Sequence, residues 1–331
     1  MKGTTKRIVT GVRATGPLHI GNYFGALKQV VELQTEHKTE RYLFIADYHT
    51  LTTVTDPKLL QKQVLDLGRE LIAVGIEPSK TTLFLQSGVP EVAELSYLLG
   101  NVAFKGELER VATFKEKARR QSQNVNLALL TYPVLMAADV LGIEATDVPV
   151  GEDQYQHMEM VRDFAQRFNQ RYAPTFVVPR IFRHDRRRVQ ALDGSGKMGK
   201  SERNTITLTS SKEEIEKIVH AAATDSGMGP LTTPVKALLD FAGLFSEELE
   251  RKYRQQRSVG TIRYSQFKRD LFEIVWEFIA PIRKRAHSVT EREVLALLRK
   301  GCAAVTPVYA SVLKKARVHM GLLPSLREHP D

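Results

Sequence analysis

Residues 41–47, RYLFIAD, form a continuous apolar run closed by an aspartate. A strand with one wet face alternates apolar and polar residues. This run does not, so it predicts a strand covered on both faces, as in a parallel sheet between helical layers. The pattern recurs along the first half of the chain. Short apolar runs at 8–9, 81–86, 146–150 and 175–179 alternate with helical patterns at 57–74, 89–99, 107–120, 126–141 and 153–172. Asp56-Pro57 supplies a helix start, with proline at an early position where its missing N–H costs nothing. Pro133 is expected to break or kink the 126–141 helix near Tyr132. Strands alternating with helices predict the α/β class with a parallel sheet.

After Pro179 the texture changes. Residues 183–188 are basic and polar, and 193–199 carry three glycines, which predicts an exposed loop. From Ser211 onward no clear strand pattern remains. Ser211 and Glu214 have the spacing of a capping box, and amphipathic helices are expected at 266–282, 289–300 and 305–316. Two domains follow, 1–210 around the sheet and 211–331 helical. Cys302 is the only cysteine, which excludes an intrachain disulfide and a thiolate metal cluster. No apolar run approaches the ~20 residues of a membrane-spanning helix, and the start, MKGTTKR, has no leader pattern; no membrane association and a cytoplasmic location are expected. The net charge of +10 favours a polyanionic partner but is also found in proteins that bind none.

Four constellations carry chemistry. Residues 7–27, RIVTGVRATGPLHIGNYFGAL, read as strand, glycine-containing loop and helix start. That arrangement presents N–H groups and a positive helix end to a phosphate. It lacks a Walker lysine and GxGxxG, so His19 and Asn22 are the polar candidates. In 131–140, TYPVLMAADV, helical spacing puts Tyr132, Met136 and Asp139 on one face. A lone Asp there reads as a solvated or capping residue. With Tyr and Met beside it, it also reads as the acceptor at the end of a flat apolar slot for an aromatic ligand with one ring donor. In 148–154, VPVGEDQ, a strand runs into a helix where open α/β sheets bind ligands; Gly151 admits a ligand to the backbone, and Glu152 and Asp153 suit ribose hydroxyls or simply cap the helix. In 197–201, KMGKS, two lysines three apart can wrap a polyphosphate or lie solvated. His49, after the 41–47 strand, reads equally as a ligand contact or a core residue.

The order of these elements, HIGN after the first strand and KMGKS after the sheet, with helices last, is the layout of a class I aminoacyl-tRNA synthetase. From about residue 8 to 321 the chain resembles the bacterial tryptophanyl-tRNA synthetases. The resemblance rests on TGPLHIGNYFGAL, GELER…FKEK, TYPVLMAADV, VPVGEDQ..H, KMGKS, TDS (224–226) and the run Y..FK..L…PIR (264–283). The MAAD and VGEDQ pair separates it from the tyrosyl enzymes. The resemblance implies a Rossmann-type catalytic domain, a helical anticodon-binding domain and a homodimer. It implies activation of L-tryptophan by ATP, with Mg2+ carried on the nucleotide and no tightly bound protein metal, followed by transfer to tRNA(Trp).

By the same resemblance, Asp139 accepts from the indole N–H, Met136 and Val150 pack the ring, His49 joins the tryptophan site, and Tyr132 and Gln154 hold the α-amino group. Arg13, Ala14, Thr15, Gly21, Asn22, Gly151, Glu152, Asp153 and Ile181 meet ATP, together with Lys197, Met198, Gly199, Lys200 and Ser201. His19, Asn22, Lys197 and Lys200 stabilise the reacting phosphates, and Lys115 is a further candidate. The chain departs from the family pattern at Arg13-Ala14, where Gln-Pro or Arg-Pro is usual, at Gly199, where Ser is usual, and in a longer, more basic 183–196 segment. These departures mark a divergent member. They leave open an auxiliary protein that binds tryptophan or tRNA with weak or no aminoacylation, and an enzyme for a tryptophan analogue or tyrosine.

Overall fold

The computed structural model describes residues 5–36, 38–111, 114, 126–151, 154–183, 189–192, 198 and 205–323. Its centre is a five-stranded parallel sheet in the order β3-β2-β1-β4-β5, with β1 Lys6–Val12, β2 Thr39–Ile45, β3 Thr82–Leu85, β4 Asp147–Val150 and β5 Arg180–Arg183. The apolar run that predicts a doubly covered strand is β2, where Leu43, Phe44 and Ile45 are all buried. β1 pairs with β2 on one side and β4 on the other. The chain therefore leaves β1 and β4 in different directions, and their carboxyl ends open a crevice between them.

The helices follow in chain order. The first, α1, runs through Ile20–Asn22, the wider turn Tyr23–Leu27 and Lys28–Glu32. A single turn, α2 (Asp47–Thr50), follows β2 directly, and α3 (Pro57–Ala73) starts on Asp56, whose side chain accepts from the N–H groups of Lys58 and Leu59. Next come α4 (Glu91–Gly100), α5 (Lys105–Arg110), α6 (Leu127–Gly142) and α7 (Tyr155–Arg171). Beyond the sheet lie α8 (Lys212–Ala221), α9 (Thr233–Ala242), α10 (Glu247–Ser258), α11 (Tyr264–Ser288) and α12 (Glu291–His319). The capping box at Ser211 and Glu214 forms as the spacing predicts.

Four expectations are corrected. The fifth strand is Arg180–Arg183 rather than 175–179. The Asn169 side chain takes the N–H groups of Thr175 and Phe176 at 2.8 and 2.9 Å, and Pro179 has none to give, so the first ladder donor is Arg180, 2.8 Å from the Thr146 carbonyl. The helix expected over 107–120 ends at Arg110, where Val111 is extended and buried; most of 112–125 lies outside the described residues. Pro133 does not interrupt α6. Leu129, Pro133, Val134, Ala137 and Ala138 are all buried on it, and that packing offsets one missing hydrogen bond. The helices expected at 289–300 and 305–316 are one, α12, continuous through Pro307 for the same reason.

The C-terminal helices do not stand clear of the sheet. One apolar core joins Leu43 and Ile45 of β2 to Leu67 and Leu71 of α3, Leu271 and Val275 of α11, and Val294 and Leu298 of α12. Where α12 crosses β3, its backbone comes so near that a Cβ on Gly301 would lie 1.9 Å from the Leu83 carbonyl oxygen. Gly301→Ala is therefore expected to cost about 3 kcal/mol or more of stability, read as a fall in the urea midpoint. A midpoint equal to the parent's would show that the helix can lift from the strand without loss.

Candidate active site

The site is built at the carboxyl ends of β1, β2, β3 and β4, with α6 laid across them. Asp139 lies in the last turn of α6 and is 2% exposed. A carboxylate at that depth needs donors, and two side chains supply them. Gln86, directly after β3 and wholly enclosed, donates Nε2–H to both carboxylate oxygens at 2.8 and 2.9 Å. His49, on the α2 turn after β2, places Nε2 3.0 Å from Oδ2. Burial raises the Asp139 carboxyl above its ordinary range, and the bonds from His49 and Gln86 pull it part of the way back. The backbone of Asp139 is held too. Tyr309 of α12, fully buried, donates its hydroxyl to the Asp139 carbonyl at 2.7 Å, a group in the last helical turn, where carbonyls lack intrahelical partners.

From Asp139 a continuous line of rings and polar groups leads to α7. The His49 ring meets the edge of Tyr132 at 6.3 Å between centroids, and Tyr132 meets His157 at 5.1 Å. The Tyr132 hydroxyl is hydrogen-bonded to His157 Nε2, and His157 Nδ1 is 3.0 Å from Gln154 Oε1. Tyr132, Met136 and Asp139 share one face of α6 as their spacing predicts, with Val150 of β4 in the same apolar cluster. Arg13, at the end of β1, comes near Tyr132; burial pulls its guanidinium below its ordinary value, against the opposing effect of that tyrosine.

The other half of the site gathers around the start of α1. His19 caps the helix: its Nδ1 accepts from the Asn22 N–H at 3.3 Å, and Asn22 Oδ1 accepts from the His19 N–H at 3.1 Å. Accepting at Nδ1 puts the neutral ring's proton on Nε2. Ala14 is enclosed, with its N–H given to Thr50 Oγ1 at 3.1 Å, and the Thr15 N–H closes a tight turn onto the Arg13 carbonyl at 3.0 Å. The Leu18 N–H is held by buried Glu70 at 2.9 Å. The chain that follows the lysine-rich loop returns here: Ile20 donates to Ile206 at 3.1 Å, and Leu208 donates to Leu18 at 2.8 Å. Met198 is buried beside Gly21, where a Cβ on the glycine would stand 3.5 Å from the methionine's. Elements some 180 residues apart in sequence thus meet at one place. Gly151 follows β4, and Ile181 lies on β5, paired with Val148. Lys115, Glu152, Asp153, Lys197, Gly199, Lys200 and Ser201 lie outside the described residues.

Residues 1–276 match the family described as tRNA synthetases class I (W and Y). The chain belongs to that family. It is 41% identical over 324 residues to the tryptophan–tRNA ligase of Porphyromonas gingivalis, covering 95% of this chain and 98% of that protein. To the tryptophan–tRNA ligase of Bacillus anthracis it is 38% identical over 333 residues, covering 95% and 98%. Among solved structures, the tryptophanyl-tRNA synthetase of Campylobacter jejuni complexed with ADP and tryptophan matches with a TM-score of 0.86 at 32% identity, covering 96% of this chain and all of that one. The Rossmann-type fold implied by the motifs is the fold observed.

Gln86, His157 and Tyr309 escape a reading of the sequence for site residues. Gln86 ends an apolar strand and looks like its polar terminus. His157 stands inside the VPVGEDQ..H motif, three residues beyond Gln154, and that spacing was the available signal. Tyr309 has none, because its partner is 170 residues away. Gln86→Leu removes the donor shared by both Asp139 oxygens and is expected to destabilise the fold by about 1–3 kcal/mol, measured by urea unfolding at neutral pH. Unchanged stability would show that His49 alone satisfies the carboxylate.

Proposed function

We propose that the protein is a tryptophan–tRNA ligase, activating L-tryptophan with ATP to tryptophanyl-adenylate and pyrophosphate and then charging tRNA(Trp). The observation that carries this reading is Asp139, a buried carboxylate beside the rings of His49 and Tyr132, in a chain whose relatives bear that activity along their whole length. In it the indole N–H meets the Asp139 carboxylate, which Gln86 and His49 hold in place, with Met136 and Val150 against the ring. Tyr132 and Gln154, at the far end, take the α-ammonium.

ATP lies between the two halves gathered at the sheet's crevice. Arg13, Ala14, Thr15, Gly21 and Asn22 approach it from one side, with Gly151, Glu152, Asp153 and Ile181 around the nucleoside. In this reading residues 197–201 meet the phosphates, where Mg2+ arrives with the nucleotide. The substrate carboxylate is already ionised, so in-line attack on the α-phosphate needs positioning and charge stabilisation more than a base. His19, Asn22, Lys197 and Lys200 are the donors in this reading. In this reading the charge on the departing pyrophosphate is met by those donors and by the nucleotide's own cation. Residues 211–331 read the anticodon, the active form is a homodimer, and the protein works in the cytoplasm. No described helix is long and apolar enough to cross a membrane.

ATP–pyrophosphate exchange driven by tryptophan tests the reaction. Exchange with tryptophan and none with phenylalanine is the expected result; no exchange with any aromatic amino acid would overturn it and favour a protein that only binds. A buried acceptor rejects ligands that leave it unpaired. Asp139→Ala is therefore expected to lower the preference for tryptophan over phenylalanine by roughly a hundredfold or more, measured as a ratio of kcat/KM values. An unchanged ratio would move the selector elsewhere.

A further inference from the structure

The hydrogen bonds at the α7 end of the slot give His157 a task that the ligand contacts alone do not require. We propose that His157 is a positioning residue for amino-acid activation: by bridging Tyr132 and Gln154 it fixes both side chains as acceptors for the substrate's α-ammonium. This rests on the reading of Tyr132 and Gln154 as the ammonium's ligands.

A neutral imidazole has one donor and one acceptor. Gln154 presents its amide oxygen to Nδ1 at 3.0 Å. An oxygen cannot donate, so Nδ1 carries the proton and Nε2 the lone pair. The Tyr132 hydroxyl, bonded to Nε2, must then be the donor in that bond. The only proton on the tyrosine is committed to the histidine, so what the hydroxyl turns toward an incoming N–H is its oxygen. In this arrangement the ring N–H holds the Gln154 amide oxygen in this corner.

An ammonium has donors only. Without the bridge, a phenol and an amide each have an orientation that turns an N–H or O–H toward it, and half of the available geometry is repulsive. His157 removes those orientations before the substrate arrives, which lowers the entropic cost of binding. Its own position is fixed by burial: it is 2% exposed in the first turn of α7, with the Tyr132 ring in a T-shaped contact 5.1 Å between centroids.

The test compares L-tryptophan with indole-3-propionate, which keeps the ring and carboxylate and lacks the amino group, by calorimetry on the full chain. His157→Leu is expected to weaken tryptophan roughly tenfold or more and to leave indole-3-propionate unchanged. In the exchange assay the KM for tryptophan rises by the same factor while that for ATP stays put. His157→Gln, which sets an amide near the place of Nε2, is expected to recover part of the loss, and it serves as the deciding variant where the leucine substitution does not fold. Equal weakening of both ligands, or of neither, in either variant overturns the proposal. Tyr132→Phe separates the two layers of inference. If it weakens tryptophan selectively while the His157 variants do not, only the role of His157 falls. If no variant distinguishes the two ligands, the ammonium site itself is misplaced.

Discussion

A carboxylate buried in the last turn of a helix is an unstable thing to build, and Asp139 governs what surrounds it. Moving a charge from water into a protein interior is compensated only by good geometry and several partners. The partners of Asp139 come from three directions: His49 from the turn after β2, Gln86 from the end of β3, and Tyr309 from the distant helix α12. Each sits where it does because another part of the fold holds it. The parallel pairing of β2 with β3 sets His49 beside Gln86, and the close passage of α12 over β3 at Gly301 sets the height of Tyr309. The setting of the Asp139 carboxylate therefore depends on the register of the sheet and on a distant C-terminal helix.

Gly142 adds to this dependence. A Cβ there would stand 2.3 Å from the Tyr309 ring, so the last residue of α6 must lack a side chain for the tyrosine to reach the Asp139 carbonyl. The same tyrosine packs near Phe84 of β3, 6.4 Å between ring centroids. β3, α6 and α12 are thus locked around one hydroxyl. A disturbance of α12 is felt first at the carbonyl of Asp139. That is a direct physical route between the helical half of the chain and the buried carboxylate, and it runs through closely packed groups.

The parts of this arrangement legible in the sequence are those with local causes. The alternation of apolar runs and amphipathic segments predicts the parallel sheet, and 3.6-residue spacing puts Tyr132 and Asp139 on one face. Caps at Asp56 and Ser211 are written in single residues and their neighbours. What escapes has distant causes. Gln86 and Tyr309 acquire their meaning from Asp139, which lies 53 and 170 residues away in sequence. The misplaced fifth strand shows the same thing on a smaller scale: Thr175 and Phe176 have strand-forming side chains, but an asparagine on the preceding helix claims their N–H groups. Pro133 and Pro307 mislead for a related reason, since packing outside the segment decides whether a helix survives a proline.

The two ends proposed for the amino-acid site, Tyr132 and Asp139, both lie on one helix. Tyr132 and Asp139 are seven residues apart on α6, about 10 Å along the axis at 1.5 Å per residue. An α-helix resists stretching because each residue added is tied by a hydrogen bond to the turn before it. Placing Tyr132 and Asp139 on separate elements would let their spacing drift with any movement between those elements. Placing both on α6 makes the spacing a property of secondary structure. Burial of Pro133 between them sharpens the point: the one residue that would usually break the rule is held inside the helix by its neighbours. In the function proposed above, motion elsewhere at the sheet's crevice can bring the phosphate-side groups together while the spacing between Tyr132 and Asp139 stays constant. Selection for the size of the amino acid would thereby be separated from the chemistry performed on its carboxylate.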